Sequence, residues 1–248
     1  MIYLRSILVW AWIVVVTFFI CFSIFIFYPV CLILNPSRSG LHFFSRLWAR
    51  LIIKFSPFLD IEVFGQENLE AGKTYVFISN HQSLGDIPSA LFIKQHFKFV
   101  AKKKLFEIPI FGWAMGLVGY IPLIRGDGKS GFDCIEKARA YLKQGISILF
   151  FPEGTRSLDE SIQSFKSGAF RLAAQEKIPM IPVVILGTRN ILSKHSWLFK
   201  KANIVVSIGK PFEVSAEDAG TLTRIKQTVR EEMMGRYQEL SPLTQRSS

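Results

Sequence analysis

The sequence predicts an α/β fold, a largely buried mixed sheet flanked by helices, preceded by an N-terminal helical membrane anchor. Three observations predict it. From Asp60 onward, β-type runs alternate with helix-type runs, the pattern of a sheet covered on both faces. The β-type runs are nearly continuous in apolar residues, as strands buried on both sides are. Ahead of them, no charged residue occurs from Ser6 to Ser37, a stretch longer than the roughly 20 apolar residues that cross a bilayer. Mean hydropathy over the 248 residues is +0.30, and the apolar excess is concentrated in that first stretch. The length suits one large domain with an anchor.

The apolar run divides at Tyr28-Pro29, because proline disfavours helix at the residue before it, and it stops at Asn35-Pro36-Ser37. One long tilted span and a shallow two-helix hairpin both fit. A secretory signal peptide does not, since its apolar core would run only about 7–15 residues. Over 41–55, Arg46, Arg50 and Lys54 recur every four residues against a Leu, Phe, Trp and Ile surface. That is the pattern of a basic helix lying in a membrane interface, or of an amphipathic helix packing on the domain that follows. Strands are then predicted over 61–64, 75–79, 97–101, 120–124, 147–151, 180–186 and 204–208. Helices are predicted over 86–94, 129–144, 167–176 and 216–237, and the polar tail 238–248 reads as frayed. The chain thus divides into an anchor with its basic helix, 1–59, and a second domain, 60–248.

The formal net charge is +11, and no Asp or Glu precedes Asp60. The early cations flank an apolar anchor, which favours anionic lipid headgroups, each such contact being worth roughly 1 kcal/mol. No zinc-finger spacing and no RNA-binding signature is present, so nucleic acid is not an expected partner. Cations after the apolar run outnumber those before it, which puts the following domain on the cytoplasmic face. Cys21, Cys31 and Cys134 are scattered without a CxxC, suggesting neither a disulfide framework nor a metal site.

Two polar segments follow β-type runs, where α/β folds tend to place functional groups. In Asn80-His81-Gln82-Ser83-Leu84-Gly85-Asp86, a histidine precedes a carboxylate by five positions. A cap by Ser83 on the next helix would fold the loop and bring Asp86 to the imidazole, preparing His81 as a general base. In Phe151-Pro152-Glu153-Gly154-Thr155-Arg156-Ser157, Arg156 offers a planar fork suited to phosphate, and Gly154 lets a ligand approach the backbone. Taken singly, each segment is also compatible with a structural histidine or a β-turn with an ion pair. His42, His96 and His195 have no partner at meaningful spacing.

Together, the N-H-x-S-x-x-D and F-P-E-G-T-R-S segments resemble the glycerolipid acyltransferase family, which includes the 1-acylglycerol-3-phosphate acyltransferases. Ile121-Pro122-Leu123-Ile124-Arg125 and Ile178-Pro179-Met180-Ile181-Pro182-Val183 resemble its second and fourth motifs, and the likeness covers about residues 60 to 215. The resemblance implies a membrane-bound acyltransferase making phosphatidic acid, with lysophosphatidic acid and membrane lipids as partners and acyl-CoA or an acyl-carrier protein as co-substrate. No cofactor or metal is implied. His81 would deprotonate the acceptor hydroxyl and Asp86 would hold the imidazole. Glu153, Gly154, Thr155, Arg156 and Arg125 would bind the glycerol-phosphate end. Lys102, Lys103 and Lys104 are read either as a phosphate attractor or as a solvated face. Three alternatives stay open. They are the same chemistry on another lyso-lipid such as a lyso-ornithine lipid, a lipid-binding protein with a dead site, and a hydrolase, for which no G-x-S-x-G elbow is found.

Overall fold

The computed structural model describes residues 2–34, 38–157, 161–191, 197–214 and 219–245. All seven predicted strands form: β1 (Leu59–Phe64), β2 (Val76–Ser79), β3 (Phe97–Lys102), β4 (Ile121–Leu123), β5 (Ser147–Phe150), β6 (Met180–Leu186) and β7 (Ala202–Ile208). Among the described residues they make one sheet in the order β1-β7-β6-β2-β5-β3-β4. The five strands from β6 to β4 run parallel, β7 lies antiparallel to β6, and β1 follows β7, so the sheet is mixed. The continuous apolar runs account for the centre, since β2, β5 and β6 are buried at every position. β4 contains Pro122, which an edge strand tolerates because one side of its ladder is unpaired.

The helices are α1 (Ile2–Leu34), α2 (Ser39–Lys54), α3 (Asp86–Ala90), α4 (Lys103–Phe106), α5 (Phe111–Val118), α6 (Gly128–Lys143), α7 (Gly168–Glu176), α8 (Thr188–Ile191) and α9 (Ala219–Thr244). One face of the sheet carries α2, α3 and α5, and the other carries α6, α7 and α9. Several elements depart from expectation. The helix predicted over 86–94 stops at Ala90, where the backbone loosens into turns with Phe92 N bonded to Ser89 O and Ile93 N to Ala90 O. The side chain of Gln66 captures that segment, donating to Phe92 O and accepting from Lys94 N. The short helices α4 and α5 were not predicted; α5 ends on Gly119 at φ +91, where a Cβ would come within 2.5 Å of Tyr141 Oη. Finally, α9 continues through most of the tail read as frayed, because Leu240 is buried and Leu243 packs beside it. Residues 216–218 of that predicted helix, the break at 35–37 and His195 lie outside the described residues.

α1 is one helix of 33 residues with Pro29 inside it, so the chain does not turn at Tyr28-Pro29. It lies back along α2. Trp48 Nε1 donates to Thr17 Oγ1 at 2.9 Å, Trp12 Nε1 to Leu51 O at 3.1 Å, and Phe27 stacks on Phe44. Both ends are tied to the domain. Arg5 donates to Phe199 O and lies 3.7 Å over the Phe58 ring. Just past the other end, Arg38 donates to Leu117 O at the end of α5. Ser6, Val9, Val16, Ile20 and Ile24 form the buried stripe, while Phe18, Phe19, Phe22, Ile26 and Val30 are exposed. On α2, Leu41, Ala49, Ile52 and Ile53 are buried against the domain, and Arg50 and Lys54 are exposed.

Candidate active site

The parallel strands β2, β5, β3 and β4 end at one edge of the sheet, and each hands over to a polar group there. β2 leads into Asn80, whose amide bridges to β6 by accepting from Ile185 N and donating to Ile185 O, both at 2.8 Å. This fixes the direction in which the loop leaves the sheet. Asp86 then folds the loop over itself. Its Oδ2 accepts from Gln82 N at 2.6 Å and Ser83 N at 2.8 Å, and meets His81 Nδ1 at 2.7 Å. Ser83 does not cap α3 as expected, since its hydroxyl accepts only from Gly85 N at 3.2 Å. The carboxylate is the stronger acceptor and takes the loop amides itself. Asp86 is fully buried, and its Oδ1 accepts from Thr188 Oγ1 at 2.5 Å. Thr188 was not read from the sequence. The only signal is its place just past the β6 run, the rule that singled out His81.

With Nδ1 engaged, the His81 ring stacks on Phe151 at 4.3 Å between centroids and its edge lines a groove of about 810 Å³ along the strand ends. Arg125 and Arg156 line the same groove. Partial burial, then the charge of Arg156, lowers the pKa of Arg125 below its ordinary value. Gly154 also lines it, at φ +73, with Lys166 packed where a Cβ would stand. A residue other than glycine would carry backbone strain there and displace that lysine.

Glu153 and Thr155 do not line the groove. Thr155 is exposed outside it, and Glu153 is buried. The Glu153 carboxylate is committed to protein donors: His81 N at 2.7 Å, Ser157 Oγ at 2.6 Å and Gln163 N at 2.9 Å. Burial raises its pKa, and these bonds and the nearby imidazole oppose the rise. Ser157 N also donates to His81 O at 2.8 Å. Through these bonds the carboxylate fastens the arginine-bearing loop to the histidine-bearing one. The sequence placed both at strand ends but could not show their carboxylate-to-amide connection.

The arrangement provides a base with its far nitrogen held by a buried carboxylate, and two guanidinium groups in the same groove to receive an anion. The Acyltransferase family model matches residues 60–186. A chloroplastic 1-acyl-sn-glycerol-3-phosphate acyltransferase of Arabidopsis thaliana is 41% identical over 194 residues, covering 77% of this chain and 54% of that protein. One from Chlamydomonas reinhardtii is 33% identical over 246 residues, covering 96% of this chain and 74% of that one. The chain thus spans about half the length of the Arabidopsis relative. The crystal structure of the 1-acyl-sn-glycerophosphate (LPA) acyltransferase of Thermotoga maritima superposes with a TM-score of 0.80 at 26% identity, covering 97% of this chain and 98% of that one.

Proposed function

Since this chain belongs to the acyltransferase family, we propose that it transfers a fatty acyl group from a thioester to the free hydroxyl of 1-acylglycerol-3-phosphate, giving phosphatidic acid. The observation that carries this reading is His81 bonded to buried Asp86 in one groove with Arg125 and Arg156. The two arginines take the acceptor's phosphate, as planar forks suited to it. The acceptor hydroxyl gives its proton to His81 Nε2. Its oxygen attacks the thioester carbonyl, the tetrahedral adduct collapses, and the leaving thiolate takes the proton back from the imidazolium. Asp86 fixes the tautomer and stabilises the imidazolium through Nδ1.

No covalent acyl-enzyme is invoked. Cys134 lines the groove, but burial pushes its thiol up to about 11, leaving it a poor nucleophile. The Ser157 hydroxyl is bound to Glu153. Acyl-CoA or an acyl-carrier protein serves as donor in this reading, and no cofactor is required.

The same reading lays α1 in the plane of the membrane rather than across it, with the catalytic domain on the cytoplasmic side. It is supported by the attachment of both ends of the helix to one domain, at Phe199 and Leu117. The outward stripe of Phe18, Phe19, Phe22 and Ile26 is then the surface that enters the lipid. The test is an acceptor panel with purified protein, labelled acyl thioester and several lyso-lipids. Product should form fastest from 1-acylglycerol-3-phosphate, and a faster rate on a lyso-lipid without phosphate would overturn the acceptor assignment.

A further inference from the structure

The groove straddles the edge of the sheet. On one side it is lined by Leu84, Ile87 and Leu105, with Ile87 and Leu105 packed in the layer that carries α1 and α2. On the other it continues between α6 and α7, in the opposite layer, whose hydrophobic cluster holds no residue of α1 or α2 among the described residues. Along α6 this second arm runs from Gly128 to Arg139, roughly 16 Å at the helical rise. Gly128 and Gly131 keep it open, since a Cβ at either meets nothing within 4 Å. Its walls include Ile135 and Leu172, and two cations face it, Lys166 and Arg171. Neither side chain has a hydrogen bond or ion pair among the described residues. By contrast, Arg139 at the far end is held by Glu136 and Glu176.

Two substrates must meet at His81. A lyso-lipid held in a membrane against α1 reaches the base from the α1 side. The second substrate then needs an entrance on the water side, a narrow channel for a thin arm, and a cation for any phosphate on it. We propose that the α6–α7 arm receives the phosphopantetheine of the thioester donor, with its phosphate on Arg171 and Lys166, leaving Arg125 and Arg156 to the acceptor. This assignment rests on the acyl-transfer reading. Phosphopantetheine is the chemistry shared by coenzyme A and an acyl-carrier protein.

The test compares acyl-coenzyme A, acyl-phosphopantetheine, acyl-pantetheine and acyl-carrier protein as donors to the full chain at fixed lysophosphatidic acid. Arg171→Gln should raise KM for the three phosphorylated donors about tenfold, the weight of one charge-assisted contact. It should leave acyl-pantetheine and the acceptor KM within about twofold, an effect below the weight of such a contact. Gly131→Leu, which suits the helix and fills the arm, should raise KM for all four donors. An equal loss with acyl-pantetheine, a raised acceptor KM, or a loss confined to acyl-coenzyme A would overturn the assignment. Should the unaltered protein acylate no lyso-lipid, the acyl-transfer reading alone fails. The arm is then judged by calorimetry with coenzyme A. Weaker binding by both variants supports it, and unchanged binding, or none by the unaltered protein, overturns it.

Discussion

Four donors converge on the Asp86 carboxylate, and Thr188 supplies the one that comes from a distant element. A hydrogen bond to a buried charge is worth about 1.5–3 kcal/mol, so Thr188→Val should lower kcat roughly tenfold or more and Thr188→Ser should restore it. The pH profile of kcat is the readout that separates positioning from folding. An unchanged profile and rate in the valine variant would show that Asp86 does not need this bond. Lys98 makes a second prediction. It is fully buried and donates to Val118 O at 2.7 Å, at the carbonyl end of α5 where a cation is favoured. Burial first, then Arg38, lowers its pKa from 10.5 to about 7. His96 and His42 beside it are themselves held below 6.5, chiefly by burial. The unfolded chain keeps the Lys98 proton across a window where the folded chain has released it. Stability therefore rises with pH through that window, and the full cost of the buried ammonium stands below it. Melting temperatures should climb more steeply with pH in the unaltered protein than in Lys98→Met, and parallel slopes would contradict this. His81 and Asp86 were legible in the sequence because they lie five positions apart, whereas Thr188 lies 102 positions from its partner.

At the scale of elements, the site depends on two loops fastened together by Glu153. Glu153→Gln keeps the shape but turns one acceptor into a donor facing a donor, so a buried group goes unpaired at a cost of about 1–3 kcal/mol. A lower melting temperature and a lower kcat are expected, with donor KM little changed. Normal stability with a raised acceptor KM would instead give Glu153 the direct ligand role. The strands were legible because each is a local apolar run. α5 was not, since Phe-Gly-Trp-Ala-Met-Gly-Leu-Val has no polar face to set a helical period. The end of α3 was hidden for another reason: Gln66, far away in sequence, competes for its backbone.

For the whole molecule, the apolar N-terminus pointed to a membrane, but length and composition fitted one long tilted span and a shallow two-helix hairpin alike. How the helix lies on the domain is set by distant contacts such as Arg5 with Phe199. Phe18→Glu with Phe22→Glu alters only the exposed stripe, whose residues are 51% and 54% exposed. It should release the protein from anionic vesicles while leaving the melting temperature near normal. Ile20→Glu, on the buried stripe, should destabilise the fold instead, and the opposite pattern would show that α1 does not lie as described. In the proposed function, a base at the sheet edge, clamped by neighbouring loops and held at a lipid surface, moves an acyl group directly to a lyso-lipid hydroxyl. The most direct test is single-turnover formation of labelled phosphatidic acid by vesicle-bound protein and by His81→Ala, with vesicle binding measured in parallel. Binding should be equal and the rate lowered at least about 10²-fold, the lower range for a general base. Turnover by His81→Ala within a few-fold of the unaltered protein, at equal binding, would contradict it.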